Sequence, residues 1–153
     1  MSEVQIRQIR TTNPNDWLRM SNQLDRNFTS GWGAPINKYP EWQYESVDSN
    51  FFTLGEFAFS YSPDGYNLRL FLDDKQKSVK TLNDALDNNW LDHQTRAVFV
   101  EFIMYENAHR LFSSVQLTAE IPPIGNIFTG RTTVRSFRQH YIMNAQDVIG
   151  TVK

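Results

Sequence analysis

Few side chains in this sequence have the reactivity and company that chemistry needs. Cysteine is absent, which removes thiolate catalysis, thiolate metal sites and disulfides together. The three histidines, His93, His109 and His140, stand at no metal-binding spacing and read as turn or surface residues. The sequence has no glycine-flanked serine elbow and no phosphate-cradling glycine loop. Asp73 and Asp74 form a carboxylate pair, but they precede a helical apolar stripe, where an aspartate caps the first turn. Glu101 lies among apolar neighbours in a strand, with Arg96 nearby in sequence. A buried carboxylate there could serve as a general acid or base. No partner constellation accompanies it, so half of a structural ion pair, or a place at the sheet edge, is the better account. Glu120 reads as a solvated carboxylate.

The elements that position these residues centre on 90–123. Thr95 to Tyr105 is apolar on most of both faces, the pattern of a central strand. Asn107-Ala108-His109 reads as a turn, and Leu111 to Ile121 alternates cleanly, with its Leu111, Val115 and Leu117 side facing the core. Pro122-Pro123 ends the pairing. Before this pair, Asp73 to Asn89 carries Val79, Leu82, Ala85 and Leu86 at helical spacing. Asn88-Asn89 suits its C-terminus, because asparagine tolerates the left-handed cap. Trp90, Asp92 and Arg96 join that helix to the central strand. Their reading is architectural: Trp90 plugs the helix end, Asp92 bonds nearby amides, and Arg96 pairs with a carboxylate.

Upstream, Val4 to Arg10 predicts a short strand with a polar face. Asn13-Pro14 predicts a helix over roughly 14–24. Phe57 to Tyr61 and Tyr66 to Leu70 alternate around Ser62-Pro63-Asp64-Gly65, predicting a hairpin. Between these, 25–50 has no periodicity but carries Phe28, Trp32, Tyr39, Trp42 and Tyr44. So many aromatics predict an ordered excursion with its own small core rather than a floppy linker. Asn27-Phe28-Thr29 is a glycosylation sequon in a secreted setting. A further strand is expected around 132–137, and Ile142 to Lys153 does not read like the start of a membrane helix.

Length and balance bound the class. The 153 residues are one domain by length, and 40% hydrophobic content suffices for a core. A net charge of -2 excludes a nucleic-acid binder that relies on a basic surface. No stretch approaches the roughly 20 apolar residues of a membrane span.

The block Trp90-Leu-Asp-His-Gln-Thr-Arg-Ala-Val-Phe-Val-Glu-Phe, with Tyr105, Leu111-Phe112, Val115, Leu117 and Glu120-Ile-Pro122, closely resembles the extracellular domain of the polycystin family. Ile6 to Arg10, Asp64 to Leu70 and Ile127 to Phe137 extend the likeness across nearly the whole chain. In that family the domain lies between the first two membrane helices of a six-span cation-channel module. The resemblance implies an α+β fold: an antiparallel β-sheet with helices packed on one side and an irregular, loop-built projection at 25–50. It implies tetramers whose four such domains form a lid above the pore, with other polycystin subunits as partners. It places the domain on the extracellular or lumenal side of a membrane. By this resemblance Phe28, Trp32, Tyr39, Trp42 and Tyr44 are the candidate subunit contacts, and Trp90, Asp92, Arg96 and Glu101 a structural motif. No catalytic residue, cofactor, metal or nucleic acid is implied. Several family channels carry a cysteine pair in the projection, so here packing alone must hold it. A ligand- or partner-binding module of a receptor-like member is the alternative, and a small enzyme using Glu101 is a further rival.

Overall fold

The computed structural model describes residues 3–12, 24–28, 39–49, 52–55, 60–122 and 128–138. Its main feature is a six-stranded antiparallel sheet. The strands are β1 (Glu3–Arg10), β2 (Tyr44–Glu45), β5 (Gly65–Phe71), β6 (Thr95–Glu106), β7 (Leu111–Glu120) and β8 (Phe128–Arg138), in the order β2-β5-β1-β6-β7-β8. Two short strands, β3 (Thr53–Leu54) and β4 (Ser60–Tyr61), pair separately. One helix, α1 (Lys75–Asp87), connects β5 to β6.

Strand register divides the side chains between two faces. Ile6 lies opposite Leu68 on one side and Val100 on the other. That first face carries Ile6, Tyr44, Tyr66, Leu68 and Leu70, which α1 covers with Leu82 and Ala85. On the second face Ile9, Ala97 and Phe99 pack with Tyr61 and Leu24. The apolar groups removed from water at these two places supply the main drive to fold.

The helix starts and ends as its sequence dictates. Asp74 caps it by accepting the Lys77 amide at 3.0 Å. Asn89 takes the left-handed conformation at φ 52°, and the Trp90 amide then donates to the Ala85 carbonyl at 2.9 Å. The stripe is narrower than its spacing suggests. Ala85 is buried, but Val79 and Leu86 are exposed, because the helix meets the sheet along one line of residues.

β6 is central, between β1 and β7. Its burial lasts through Phe99 and fades towards Glu106. The cause is register. Val4 of β1 pairs with Phe102, so β1 is nearly exhausted there, and Ile103 to Glu106 pair with β7. The strands β6, β7 and β8 therefore run on past the helix-covered core, leaving Ile103, Met104, Tyr105, Val134 and Phe137 exposed. Tyr105, Phe112 and Phe137 form an aromatic row there, with ring centres 4.6 and 5.6 Å apart.

Four expectations need correction or fall elsewhere. The polar residues of β1 do not form one polar face: Gln8 and Arg10 lie on one side and Arg7 on the other, and all three are buried, because the strand is flanked on both sides. The 62–65 turn does not close a hairpin. Tyr61 pairs with Thr53, and β5 pairs with β1 and β2. Arg7 Nη1 donates to the Ser62 and Asp64 carbonyls at 2.9 and 3.3 Å, and Asp64 Oδ1 accepts the Val47 amide at 2.8 Å. These bonds tie the turn to β1 and to the chain after β2. Gly65, at φ 144°, sits where a Cβ would lie 2.5 Å from the Gln8 carbonyl. Of the helix expected over 14–24, residues 14–23 lie outside the described residues, and Leu24 makes a β-bridge with Thr11. Phe57 to Phe59 and 142–153 also lie outside them.

Candidate functional site

The junction between α1 and β6 is built around a residue that sequence reasoning did not single out. Arg10 ends β1, and its guanidinium makes a bidentate pair with Asp92: Nη1 to Oδ1 at 2.7 Å and Nη2 to Oδ2 at 3.0 Å. Nη2 also donates to Gln94 Oε1 at 2.9 Å, and Nε donates to Asp25 Oδ2 at 3.3 Å. The Arg10 guanidinium lies 3.8 Å from the Phe28 ring centre, a cation–π contact. Asp92 does bond a nearby amide, accepting from Gln94 N at 3.0 Å. Arg96 sends Nη1 to the carbonyls of His93, Thr95 and Ile121. Burial holds its pKa below the usual arginine value. Gln8 completes the junction, donating to the Trp90 carbonyl at 2.7 Å and accepting from Thr95 Oγ1 at 3.0 Å. One buried cluster thus fastens β1, 24–28, the end of α1 and the start of β6. The only sequence signal for Arg10 was a charged residue ending a strand whose alternation slips.

Phe28 and Trp42, among the described aromatics of 25–50, do not make a separate core. Phe28 and Trp42 are 3% and 4% exposed, and they pack with Tyr66, Leu68, Ala85 and Trp90 in the sheet–helix core. Both rings are thus enclosed by their own chain. Phe28 is held at φ 50°, its amide donating to Tyr66 Oη at 2.7 Å while that hydroxyl donates to the Asp25 carbonyl at 2.9 Å. Trp42 ends the 3-10 turn Pro40–Trp42, and Trp90 Nε1 donates to the Glu41 carbonyl in that turn at 2.8 Å. Tyr44 is half-buried against Tyr66. Burial and the nearby Asp64 raise its pKa. Tyr39 is 46% exposed and meets Trp42 at its edge, with ring centres 6.1 Å apart. Trp32 lies outside the described residues; Asn27 is exposed.

The second face holds the other charged residues. Glu101 Oε1 accepts from Gln116 Nε2 at 2.5 Å and from Arg7 Nη2 at 3.4 Å, so its partner is Arg7 of β1. Arg7 lies over the Phe99 ring at 4.2 Å. A cleft of about 580 Å³ opens here, lined by Arg7, Glu101 and Gln116 and by Arg131 and Arg135 of β8, among others. Glu120 is not solvated as expected. It is buried, accepts the Tyr61 hydroxyl at 2.8 Å, and abuts Gly55, because the β3–β4 pair lies over that end of β7. Among the described residues no group of three or more histidines and carboxylates could hold a metal ion. His109 faces Glu106 across the β6–β7 turn, at 2.8 Å.

The Polycystin domain family profile matches residues 2–140, which include the whole Arg10–Asp92 junction and both faces of the sheet. The chain belongs to the polycystin domain family. It is 34% identical to human Polycystin-2-like protein 2 over 103 residues, 65% of this chain and 16% of that protein. It is 32% identical to human Polycystin-1 over 113 residues, 70% of this chain and 2% of that protein. It is also 36% identical to Location of vulva defective 1 of Caenorhabditis elegans over 101 residues, 65% of this chain and 3% of that protein. The polycystin domain is thus a small part of much longer relatives. None of the described helices is long and apolar enough to cross a membrane.

Proposed function

We propose that this polycystin domain is a non-enzymatic extracellular module of a polycystin-type cation channel, where it contributes to subunit assembly and gating as one of four that form a lid above the pore. What supports this reading beyond family membership is the clamp on 39–45. Phe28, Trp42 and Trp90 fasten this segment to the sheet and to α1, while Tyr39 faces outward at its edge. A load placed on the Tyr39 side reaches the sheet through close-packed rings rather than through a slack loop. A rigid sheet linked to its neighbours could then bias the pore between two arrangements, with any stimulus acting by favouring one of them. The projection, with Tyr39 at its margin, is the contact region in this reading, and other polycystin subunits are the partners.

The test uses the intact protein in cells. Tyr39→Asp removes a half-exposed ring at the margin of the core, beside Trp42, so the melting temperature is measured alongside to show that the fold is kept. The expected result is loss of the tetramer on native gels, or altered current in tetramers that still form. Normal assembly together with normal current would overturn the reading.

A further inference from the structure

We propose that the cleft on the second face of the sheet binds an acidic saccharide. The inference goes beyond assembly, and it rests on charge, shape and lining. The cleft volume of about 580 Å³ lies within the range of small-molecule sites, roughly 300–1,000 Å³. Three guanidinium groups and one carboxylate line it. That carboxylate, Glu101, is already held by Arg7 and Gln116. Arg7 is committed as well, to two carbonyls and the Phe99 ring. Arg131 and Arg135 differ: both are exposed on β8, and neither has an acidic partner among the described residues. Two uncompensated arginine forks in one cleft match carboxylate geometry, which is planar and accepts paired bonds.

The remaining lining selects the body of the ligand. Ser114 lies opposite Arg135, and Gln116 opposite Thr133, giving a row of hydroxyl and amide groups beside the arginines. Phe52, highly exposed, contributes an aromatic ring to the same cleft. A sugar acid offers hydroxyls for the row, a carboxylate for the forks and a C–H face for the ring. The apolar lining, Val47, Phe52 and Pro63, comes from the segments around β2, β3 and β4, whereas every lining residue on the six-stranded sheet is polar or charged, and an extended peptide draws its specificity from a row of pockets for alternate side chains.

The test is titration of the purified chain with sodium glucuronate, followed by NMR shifts or calorimetry, with glucose, acetate and a capped aspartyl peptide as comparators. Glucuronate should saturate, and Arg131→Gln with Arg135→Gln should weaken it at least about tenfold. Arg135→Lys alone, which keeps the charge and loses the fork, should give a smaller loss. Both arginines are exposed, so melting temperatures should not change. No saturable binding, or equal affinity in the double variant, overturns the proposal. Acetate binding as well as glucuronate would reduce the cleft to a bare anion site, glucose binding as well would remove the role of the arginines, and tighter binding of the peptide would make it a peptide site; each overturns the saccharide assignment.

Discussion

Arg10 and Asp92, 82 positions apart in sequence, meet as a bidentate pair with both side chains almost wholly out of water. Removing one member of such a pair strands a buried charge, which costs about 3–5 kcal/mol. The two members are not equivalent here. Arg10 also faces Asp25, so losing the arginine takes a counter-charge from two buried carboxylates, whereas losing Asp92 leaves Arg10 its pair with Asp25. Arg10→Met should therefore lower stability in urea more than Asp92→Asn does. A loss below about 1 kcal/mol for Arg10→Met would mean that the cluster does not hold the junction together.

Gly55 shows a constraint of a different kind. A Cβ at this position would lie 2.0 Å from Glu120 Oε1 and 2.8 Å from the Tyr61 ring. Both neighbours are buried, and the Tyr61 hydroxyl donates to that same carboxylate. Relief would need the β3–β4 pair to move off β7. Overpacking of this sort costs about 1–3 kcal/mol. Gly55→Ala should lower the melting temperature, and Gly55→Ala with Glu120→Gln should not restore it, since the replacement keeps the same volume. An unchanged melting temperature in Gly55→Ala would show that the two-stranded sheet yields freely.

What was readable in advance follows from the range of the interactions. The helix from Lys75 to Asp87, its Asp74 cap and its Asn89 terminus are set by residues within a few positions of one another, and the sequence displays them. The long strands β6 and β7 likewise show their own pattern. Which residues of β7 face water did not follow from alternation. Leu117 is exposed and Glu120 buried, because α1 covers one part of the first face while β3–β4 covers one end of the second. Alternation assigns sides to a strand, but the cover on each side comes from distant segments. The partners of Asp92 and Glu101 were missed for the same reason. Arg10 and Arg7 come from a strand whose place between β5 and β6 is fixed by register, not by local spacing.

Tyr61 and Tyr66 should resist alkaline titration while the fold persists. Burial pushes both hydroxyls above the ordinary value of 10.0, and the Glu120 carboxylate adds to the effect at Tyr61. A raised folded value means that the stabilisation is present below pH 10.0 and is lost as pH rises beyond it, because the unfolded chain then releases protons that the folded chain retains. The ultraviolet phenolate signal should rise in a step that coincides with loss of the circular dichroism of the sheet. Tyr61→Phe should shrink that step. A phenolate rise that ran to completion while the sheet signal stayed intact would contradict the enclosure of both hydroxyls.

Acid should act through Glu45, at the outer edge of the sheet. Arg69 donates to both of its carboxylate oxygens, Nη1 to Oε1 at 2.8 Å, and Asn67 Nδ2 adds a bond at 2.8 Å. The Arg69 bonds hold its pKa below the usual 4.5. With the folded value depressed, the pair stabilises the fold above pH 4.5 and ceases to do so as pH falls through the lowered value. Both side chains are about a third exposed, so the contribution is that of a solvent-screened pair, about 0.2–1 kcal/mol. Glu45→Gln should therefore lower the urea midpoint near neutral pH and leave it almost unchanged near pH 3. β2 has two residues and pairs with β5 alone. A deficit of the same size at both pH values would show that the substitution acts through packing of this short edge strand instead of through charge.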